Sequence, residues 1–415
     1  MLTSIALSEL LGAPVTDPSG KTRGRVREVM VCPSADPVRV CSIVVKTSTG
    51  DRVLAPEKLA DIDGNVLRAS VNEEEWPQFT SAEGLLLLGR DLLDQQIIDV
   101  HGRKVVRVND LDLRREQVNH HLVLKVGDVD VGARGAVRRL LKGVVPWKAL
   151  YVLTQKLPPR VIPWEFVDLI ETDPARRVKL KIEHERLARL HPADIADIVE
   201  ELAPAEREAV FETLDEEVAA EALEEVHPRL QRSIVESLDS DRAADIVEEM
   251  DPDAAADLLA DLPRETSEGI LEEMEPEERE EVAELLEFKE DTAAGRMTTD
   301  YLALPPMATV NDAIETLRKF EGGIESVSTI FLVDKDNKLA GAVQLPSLVL
   351  ATGETQLSKL APDPPISCHA GATEKEVAEI FDKYNLLMLP VVDDQGVLTG
   401  VITADDVISL LRSKL

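Results

Sequence analysis

In rows of twelve, residues 191–286 read HPADIADIVEEL, APAEREAVFETL, DEEVAAEALEEV, HPRLQRSIVESL, DSDRAADIVEEM, DPDAAADLLADL, PRETSEGILEEM and EPEEREEVAELL. The twelfth column is apolar in every row: Leu202, Leu214, Val226, Leu238, Met250, Leu262, Met274 and Leu286. The eighth column, from Ile198 to Val282, is apolar as well. Proline fills the second column at 192, 204, 228, 252 and 276, where a helix tolerates it because the first-turn N–H has no intrahelical partner. Glutamate, a good helix former, recurs in the tenth column at 200, 212, 224, 236, 248, 272 and 284. Each row therefore predicts a helix of about eight or nine residues closed by a short turn. Such helices are marginal alone and must stack on their neighbours to bury the paired apolar columns. A superhelix of short helices follows.

Around this block the chain has 415 residues, 79 acidic and 46 basic side chains, and a net charge of −33. The charge is local: residues 191–290 hold 7 basic and 35 acidic side chains, whereas residues 1–190 hold 29 and 26, and residues 291–415 hold 10 and 18. A hydrophobic content of 44% argues against wholesale disorder. The longest apolar runs, such as Leu85 to Leu88, fall far short of the roughly 20 residues of a membrane-spanning helix. The first residues carry no basic segment or cleavage signature, so a cytoplasmic protein without membrane insertion is expected. Cys32, Cys41 and Cys368 are odd in number and lack CxxC spacing, which favours reduced thiols over disulfides or zinc. An acidic chain repels phosphate backbones, so no nucleic-acid partner is expected.

The helical rows exit through Asp291-Thr292-Ala293-Ala294-Gly295-Arg296-Met297-Thr298. With the acidic rows, this stretch resembles the intracellular amino-terminal domain of the MgtE magnesium transporters, which enter their next domain through DxAGGxMT; Ala294 stands in place of one glycine. Asp241 and Asp245, and again Asp253 and Asp257, lie four apart on one helical face, where like charges repel unless a cation sits between them. Mg²⁺ takes oxygen ligands and keeps several waters, so it suits carboxylates at an interface. A solvated acidic surface serving solubility is the alternative. The resemblance implies a domain that closes on its neighbour through Mg²⁺.

Residues 329–349, TIFLVDKDNKLAGAVQLPSLV, recur at an offset of 59, pairing Val333 with Val392, Asp334 with Asp393 and Gly341 with Gly400. Each copy reads helix, strand, Asp/Asn/Gly turn, strand, helix. The tandem resembles a CBS domain pair. Asp334-Lys335-Asp336-Asn337 fails as a calcium loop, because Lys338 and Leu339 fall on its next ligand and glycine positions. CBS pairs commonly bind adenine nucleotides through Gly-x-x-Thr-x-x-Asp, which the second copy holds as Gly400, Thr403 and Asp406, so the resemblance implies ATP or AMP as a ligand. A carboxylate can accept from both ribose hydroxyls, and a threonine at a helix start can hold phosphate. The first copy has Gly341, Gln344 and Ser347 instead, losing the ribose acceptor. Capping of the last helix is the other reading of Asp406. MgtE relatives also place acidic residues here for Mg²⁺, making Asp406 a candidate ligand, but Lys375, Asn385 and Ser409 depart from that pattern.

Ahead of the helical rows, residues 10–31 read strand, Asp17-Pro18-Ser19-Gly20 turn, strand, and residues 92–113 repeat them at an offset of 82, pairing Asp17 with Asp99 and Gly20 with Gly102. A second match pairs VLAPEKLADI (53–62) with VIPWEFVDLI (161–170), each an apolar strand entering a short helix through proline. The doubled unit resembles the PRC-barrel, a small β-barrel that serves as a docking or assembly module. Gly20-Lys21-Thr22 is not a phosphate loop, because Val15 occupies the position of its first glycine. His120-His121 faces both sides of a predicted strand and lacks ligands at metal spacing.

The expected architecture is multidomain α+β: PRC-barrel-like β units over 1–80 and 85–172, an all-α superhelix of short helices over 184–290, and an α/β CBS pair over 291–415. The expected function is a soluble, non-transporting regulator. It senses a divalent cation, Mg²⁺, through Asp241, Asp245, Asp253, Asp257 and Asp406, pairs as a homodimer through the CBS repeats, and docks a client such as a membrane cation transporter. A nucleotide-responsive module and a ligand-free scaffold are the rivals. No nucleophile elbow, dinucleotide loop or HExxH is present, so no enzyme is expected.

Overall fold

The computed structural model describes residues 4–63, 66–118, 121–141, 157–169, 186–289, 291–320, 327–361 and 365–413. The architecture is mixed α and β: a curled sheet, a run of short helices, then two small α/β repeats. The chain divides into two compact units, Met1–Val218 and Ala219–Leu415.

In the first unit the strands are β1 (Ser4–Ala6), β2 (Pro14–Thr16), β3 (Thr22–Cys32), β4 (Asp36–Thr47), β5 (Gly50–Leu54), β6 (Leu59–Asp63), β7 (Val66–Ala69), β8 (Leu86–Leu87), β9 (Gln96–Asp99), β10 (Lys104–Arg107), β11 (Asp110–Val118), β12 (His121–Asp130), β13 (Val161–Pro163) and β14 (Val167–Leu169). The main path runs β1-β11-β12-β4-β3-β2-β7-β6, and β10-β9-β14 form a separate three-stranded sheet. The strand-turn-strand of the first copy, β2 and β3, lies on the main path, whereas that of the second copy, β9 and β10, lies in the separate sheet; β1 pairs with β11, Ser4 opposite Arg114. The two copies share one core, in which Val15, Val29 and Ile43 pack with Leu111, Leu124 and Val129.

The aligned aspartates of the repeated turn both accept from turn backbone, but at different positions, four residues ahead in the first copy and three in the second. Asp17 Oδ1 accepts from the Lys21 N–H at 3.0 Å, and Asp99 Oδ1 accepts from the Gly102 N–H at 2.8 Å. The proline-led elements also recur, as Pro56–Lys58 and Trp164–Phe166, each a 3-10 turn between strands. Within the core, Arg138 reaches Asp110 at 3.2 Å and Asp112 at 3.4 Å, while Ser8 donates to Asp110 through both its N–H and its hydroxyl. His121 opens β12 exposed, opposite Val118, and His120 lies outside the described residues. All three cysteines are free.

The helical rows become helices Pro192–Glu200, Pro204–Phe211, Glu216–Glu225, Pro228–Val235, Ser240–Glu248, Pro252–Asp261, Arg264–Glu273 and Pro276–Leu285. Every residue of the eighth column is buried, from Ile198 at 0% exposure to Leu258 at 4%. The five prolines fall in first turns, and His191 and His227 cap their helices through Nδ1, accepting from Ala193 and Arg229. The first helices are tied to the small sheet: Arg103 pairs with Asp194 at 2.8 Å, and the Val105 N–H on edge strand β10 donates to Glu201.

In the second unit helices from Pro228 onward stack on the next but one. Pro252–Asp261 packs on Pro228–Val235 and on Pro276–Leu285, and Arg264–Glu273 packs on Ser240–Glu248. The structural period is thus two rows, and half-buried glutamates span it. The Glu224 carboxylate accepts from the N–H of Asp251, and Glu248 accepts from that of Glu275, both 27 residues ahead. These N-cap donors have no partner within their own helices, so glutamates of the tenth column link one helix end to another helix start.

The α/β repeats are β15 (Leu302–Leu304), helix Val310–Leu317, β16 (Thr329–Val333), β17 (Leu339–Gln344) and helix Leu345–Leu350, then β18 (Cys368–His369), helix Glu374–Tyr384, β19 (Met388–Val392), β20 (Leu398–Thr403) and helix Ala404–Ser413. In each, the first strand pairs parallel and the last antiparallel to the middle one, with a register shift at Val333 and again at Val392. The turns match in detail: Asp334 Oδ1 accepts from Asp336 and Lys338, and Asp393 Oδ1 from Gln395 and Val397. Asn337 (φ 55) and Gly396 (φ 81) hold equivalent left-handed positions. The Asp334–Asn337 stretch is thus a hairpin turn. Leu339 N–H donates to Gly396 O and Leu398 N–H to Asn337 O, joining the two turns.

Candidate functional site

Two helix starts bring carboxylates together. Asp251 precedes Pro252–Asp261, Asp253 sits in its first turn and Asp257 one turn further on. From the second repeat, Asp405 and Asp406 occupy the first turn of Ala404–Ser413. Helix starts favour negative charge. Burial opposes it and dominates here. Asp253 is held well above the usual carboxylate range, first by burial and then by the charges of Asp406 and Asp251. Asp406 is pushed up to about 6 by burial, against two hydrogen bonds from Thr403, with Asp405 and Asp251 adding to the rise. Asp251 is raised by burial and by Asp405. The cluster reaches further through Glu224, pushed up to about 8 by burial and by Asp251.

One oxygen of Asp406 already has a task. Oδ2 accepts from the Thr403 N–H at 2.9 Å and from its hydroxyl at 2.5 Å, an arrangement that caps the last helix. Thr403 is buried at 5% exposure. Gly400, three residues earlier in β20, is bare for a packing reason: a Cβ there would lie 2.7 Å from Met297 Cγ and 2.9 Å from the Thr298 carbonyl oxygen. Gly400, Thr403 and Asp406 are therefore near one another, each with an internal partner.

Asp253, Asp257 and Asp406 are half-buried, whereas Asp241 and Asp245 stand exposed on Ser240–Glu248. Asp245 lies near Glu248 and adds to the upward shift of that side chain, which burial dominates. Asp257 pairs with the guanidinium of Arg296, Nη1 to Oδ2 at 2.5 Å. A cavity of about 80 Å³ opens beside Asp253 and Asp257, its remaining wall apolar and including Leu285, Phe288 and Met297. Among the described residues no three His, Cys, Asp or Glu side chains converge closely enough to enclose a metal. The donor chemistry fits a hard cation that keeps part of its water shell: carboxylates only, short of counter-charge.

Asp251, Asp405 and Arg296 are the members that sequence spacing missed. Asp405 is adjacent to the selected Asp406 and Asp251 fills the first column of the repeat, but their convergence depends on packing between segments about 150 residues apart. Arg296 lay in the exit motif without a role.

Residues 190–291 match the MgtE intracellular N domain, and residues 293–349 and 357–413 each match the CBS domain. The chain therefore carries an MgtE-type N domain followed by a CBS pair. The magnesium transporter MgtE of Thermus thermophilus is 32% identical over 136 residues, covering 33% of this chain and 30% of that protein, and its Enterococcus faecalis counterpart is 30% identical over 135 residues. The chain thus spans less than a third of the length of these curated relatives. An inosine-5'-monophosphate dehydrogenase of Nitrosopumilus maritimus matches over 83 residues at 28% identity, 20% of this chain and 17% of the enzyme. Among solved structures, the cytosolic domain of the Mg²⁺ channel MgtE in complex with ATP superposes with a TM-score of 0.52 at 30% identity, covering 56% of this chain and 94% of that one. The soluble part of a magnesium transporter gives 0.53 at 26% identity, covering 56% and 91%. Among the described residues no helix is long and apolar enough to cross a membrane.

Proposed function

We propose that this chain is a regulatory module that responds to a divalent cation, Mg²⁺, held between the helix Pro252–Asp261 and the second CBS repeat. The reading is carried by the meeting of two helix starts, where half-buried Asp253 is raised first by burial and then by the charge of Asp406, and Asp406 by burial with Asp405 and Asp251 adding to the rise. Ionised together they repel, so the junction loosens. A hydrated cation between them favours closure by its differential affinity for the closed form. Asp253 and Asp406 are the principal ligands, Asp251 and Asp405 the supporting charges. Asp257 contributes only when released by Arg296.

The state is read out by a client, a membrane cation transporter, with the amino-terminal β region as the docking element in the manner of the PRC-barrel it resembles. A homodimer is formed through the CBS repeats, whose Val349, Leu350 and Ile408 are 84%, 89% and 65% exposed. Small-angle scattering in chelator and in millimolar Mg²⁺, together with calorimetry, tests the reading. Compaction with measurable binding supports it, and an unchanged radius of gyration without binding overturns it.

A second reading, an adenine-nucleotide sensor at Gly400, Thr403 and Asp406, is favoured by the ATP held by the MgtE relative. It requires Asp406 to give up its cap on Thr403. Asp406→Ala that abolishes nucleotide binding while Mg²⁺ compaction persists would support this second reading.

A further inference from the structure

Arg296 is placed by its backbone before its side chain does anything. The turn Ala294–Arg296 follows Ala293, and the N–H groups of Ala293 and Ala294 donate to the carbonyls of Ala372 and Ala370 at 2.8 and 2.9 Å. Two residues beyond Arg296, Thr298 and Val401 exchange both backbone hydrogen bonds, at 2.8 and 3.0 Å. The stretch 293–298 is thus stitched to the second repeat on both sides of Arg296. From this fixed base the guanidinium reaches away to Asp257 on the helix Pro252–Asp261, and its Nε lies 3.6 Å from Glu374 at the start of Glu374–Tyr384. It is a third exposed, so the ion pair is partly shielded from solvent.

Resting on the cation-sensing reading, we propose that Arg296 is a tethered internal cation. It neutralises Asp257 and holds the helix Pro252–Asp261 to the second repeat when no divalent ion is bound. The junction then has two counter-charges of different kinds, a permanent guanidinium at Asp257 and an exchangeable ion at Asp253 and Asp406. The ion-free state stays partly closed, and the exchangeable ion sets only the remaining opening. Arginine suits the role because it is charged at every working pH and its planar fork spans two carboxylates.

The test compares the full chain as wild type, Arg296→Met, Asp257→Asn and the double variant, first in EDTA at low salt and then in 5 mM MgCl₂, by limited proteolysis and small-angle scattering, with far-UV circular dichroism as the control for folding. In EDTA, cleavage near residues 287–292 is expected to accelerate about fivefold in either single variant, the scale of a part-shielded ion pair, and no further in the double variant. Equal cleavage of wild type and Arg296→Met in EDTA, or additive effects in the double variant, would overturn the proposal. If Arg296→Met opens in EDTA and MgCl₂ fails to close it, the tethered cation stands and the Mg²⁺ reading fails.

Discussion

The carboxylate of Glu224 accepts a hydrogen bond from the backbone N–H of Asp251 at 2.7 Å, so the end of one short helix fixes the start of the helix that carries Asp253. Geometry of the repeat and chemistry of the candidate site therefore meet at one contact. The position of Asp253 depends on a side chain 29 residues earlier in the chain.

That contact has a pH signature. Burial pushes Glu224 from 4.5 up to about 8, so its contribution is full below about pH 4.5 and is lost as pH rises through about 8. Glu224→Gln keeps the acceptor and removes the charge. Thermal unfolding followed by circular dichroism is expected to show little change at pH 5 and a gain of a few degrees at pH 9, on the order of 1–2 kcal/mol. Glu224→Ala leaves the Asp251 N–H unsatisfied and is expected to destabilise at both pH values by about 1–3 kcal/mol.

If Asp253 and Asp406 hold the ion as proposed, protons and metal compete there. Both carboxyls are raised, Asp406 to about 6, so on the proposed site ion binding would displace protons at neutral pH. Calorimetric titrations with Mg²⁺ in buffers of different ionisation enthalpy are expected to give different apparent heats, and the affinity should fall as pH drops from 8 to 5. Heats independent of the buffer would argue that these groups do not bind the ion.

Asparagine at either position separates charge from shape. Asp406→Asn keeps an acceptor for Thr403 and so keeps the cap. It is expected to weaken Mg²⁺ binding by roughly tenfold or more, equivalent to about 1.4 kcal/mol or more. The exposed pair provides the contrast, since Asp241→Asn with Asp245→Asn is expected to leave the titration unchanged.

Gly400 tests packing at the exit segment. Its missing Cβ accommodates Met297 and the Thr298 carbonyl, and the latter cannot move without breaking the pairing with Val401. Gly400→Ala is expected to cost about 1–3 kcal/mol of stability even without nucleotide, measurable by urea unfolding.

The parts of the fold that depend on local periodicity were readable from sequence. The twelve-residue rows located eight helices and their buried column, because helix period and proline placement are properties of adjacent residues. The offset of 59 located the two α/β repeats down to the Asp334 and Asp393 turns. Contacts between distant segments were not readable. The tenth-column glutamates suggest helix propensity, yet Glu224 and Glu248 act as links because the stack returns every 24 residues rather than every 12. The β region showed its doubled turns but not that β1 would pair with β11, since a period-two pattern carries no information about a partner 110 residues away. At the candidate site, spacing selected five aspartates. The structure brings Asp406 close enough for its charge to raise Asp253, gives Asp257 to Arg296 and leaves Asp241 and Asp245 in solvent.

The most direct test of the central claim is Mg²⁺-dependent compaction of the wild-type chain and of Asp253→Asn, measured by small-angle scattering at pH 8. The account expects the wild type to contract between chelator and millimolar Mg²⁺, and Asp253→Asn to be contracted already in chelator and nearly unresponsive to the ion. A wild-type radius of gyration indifferent to Mg²⁺, or an equal contraction in both proteins, would contradict it.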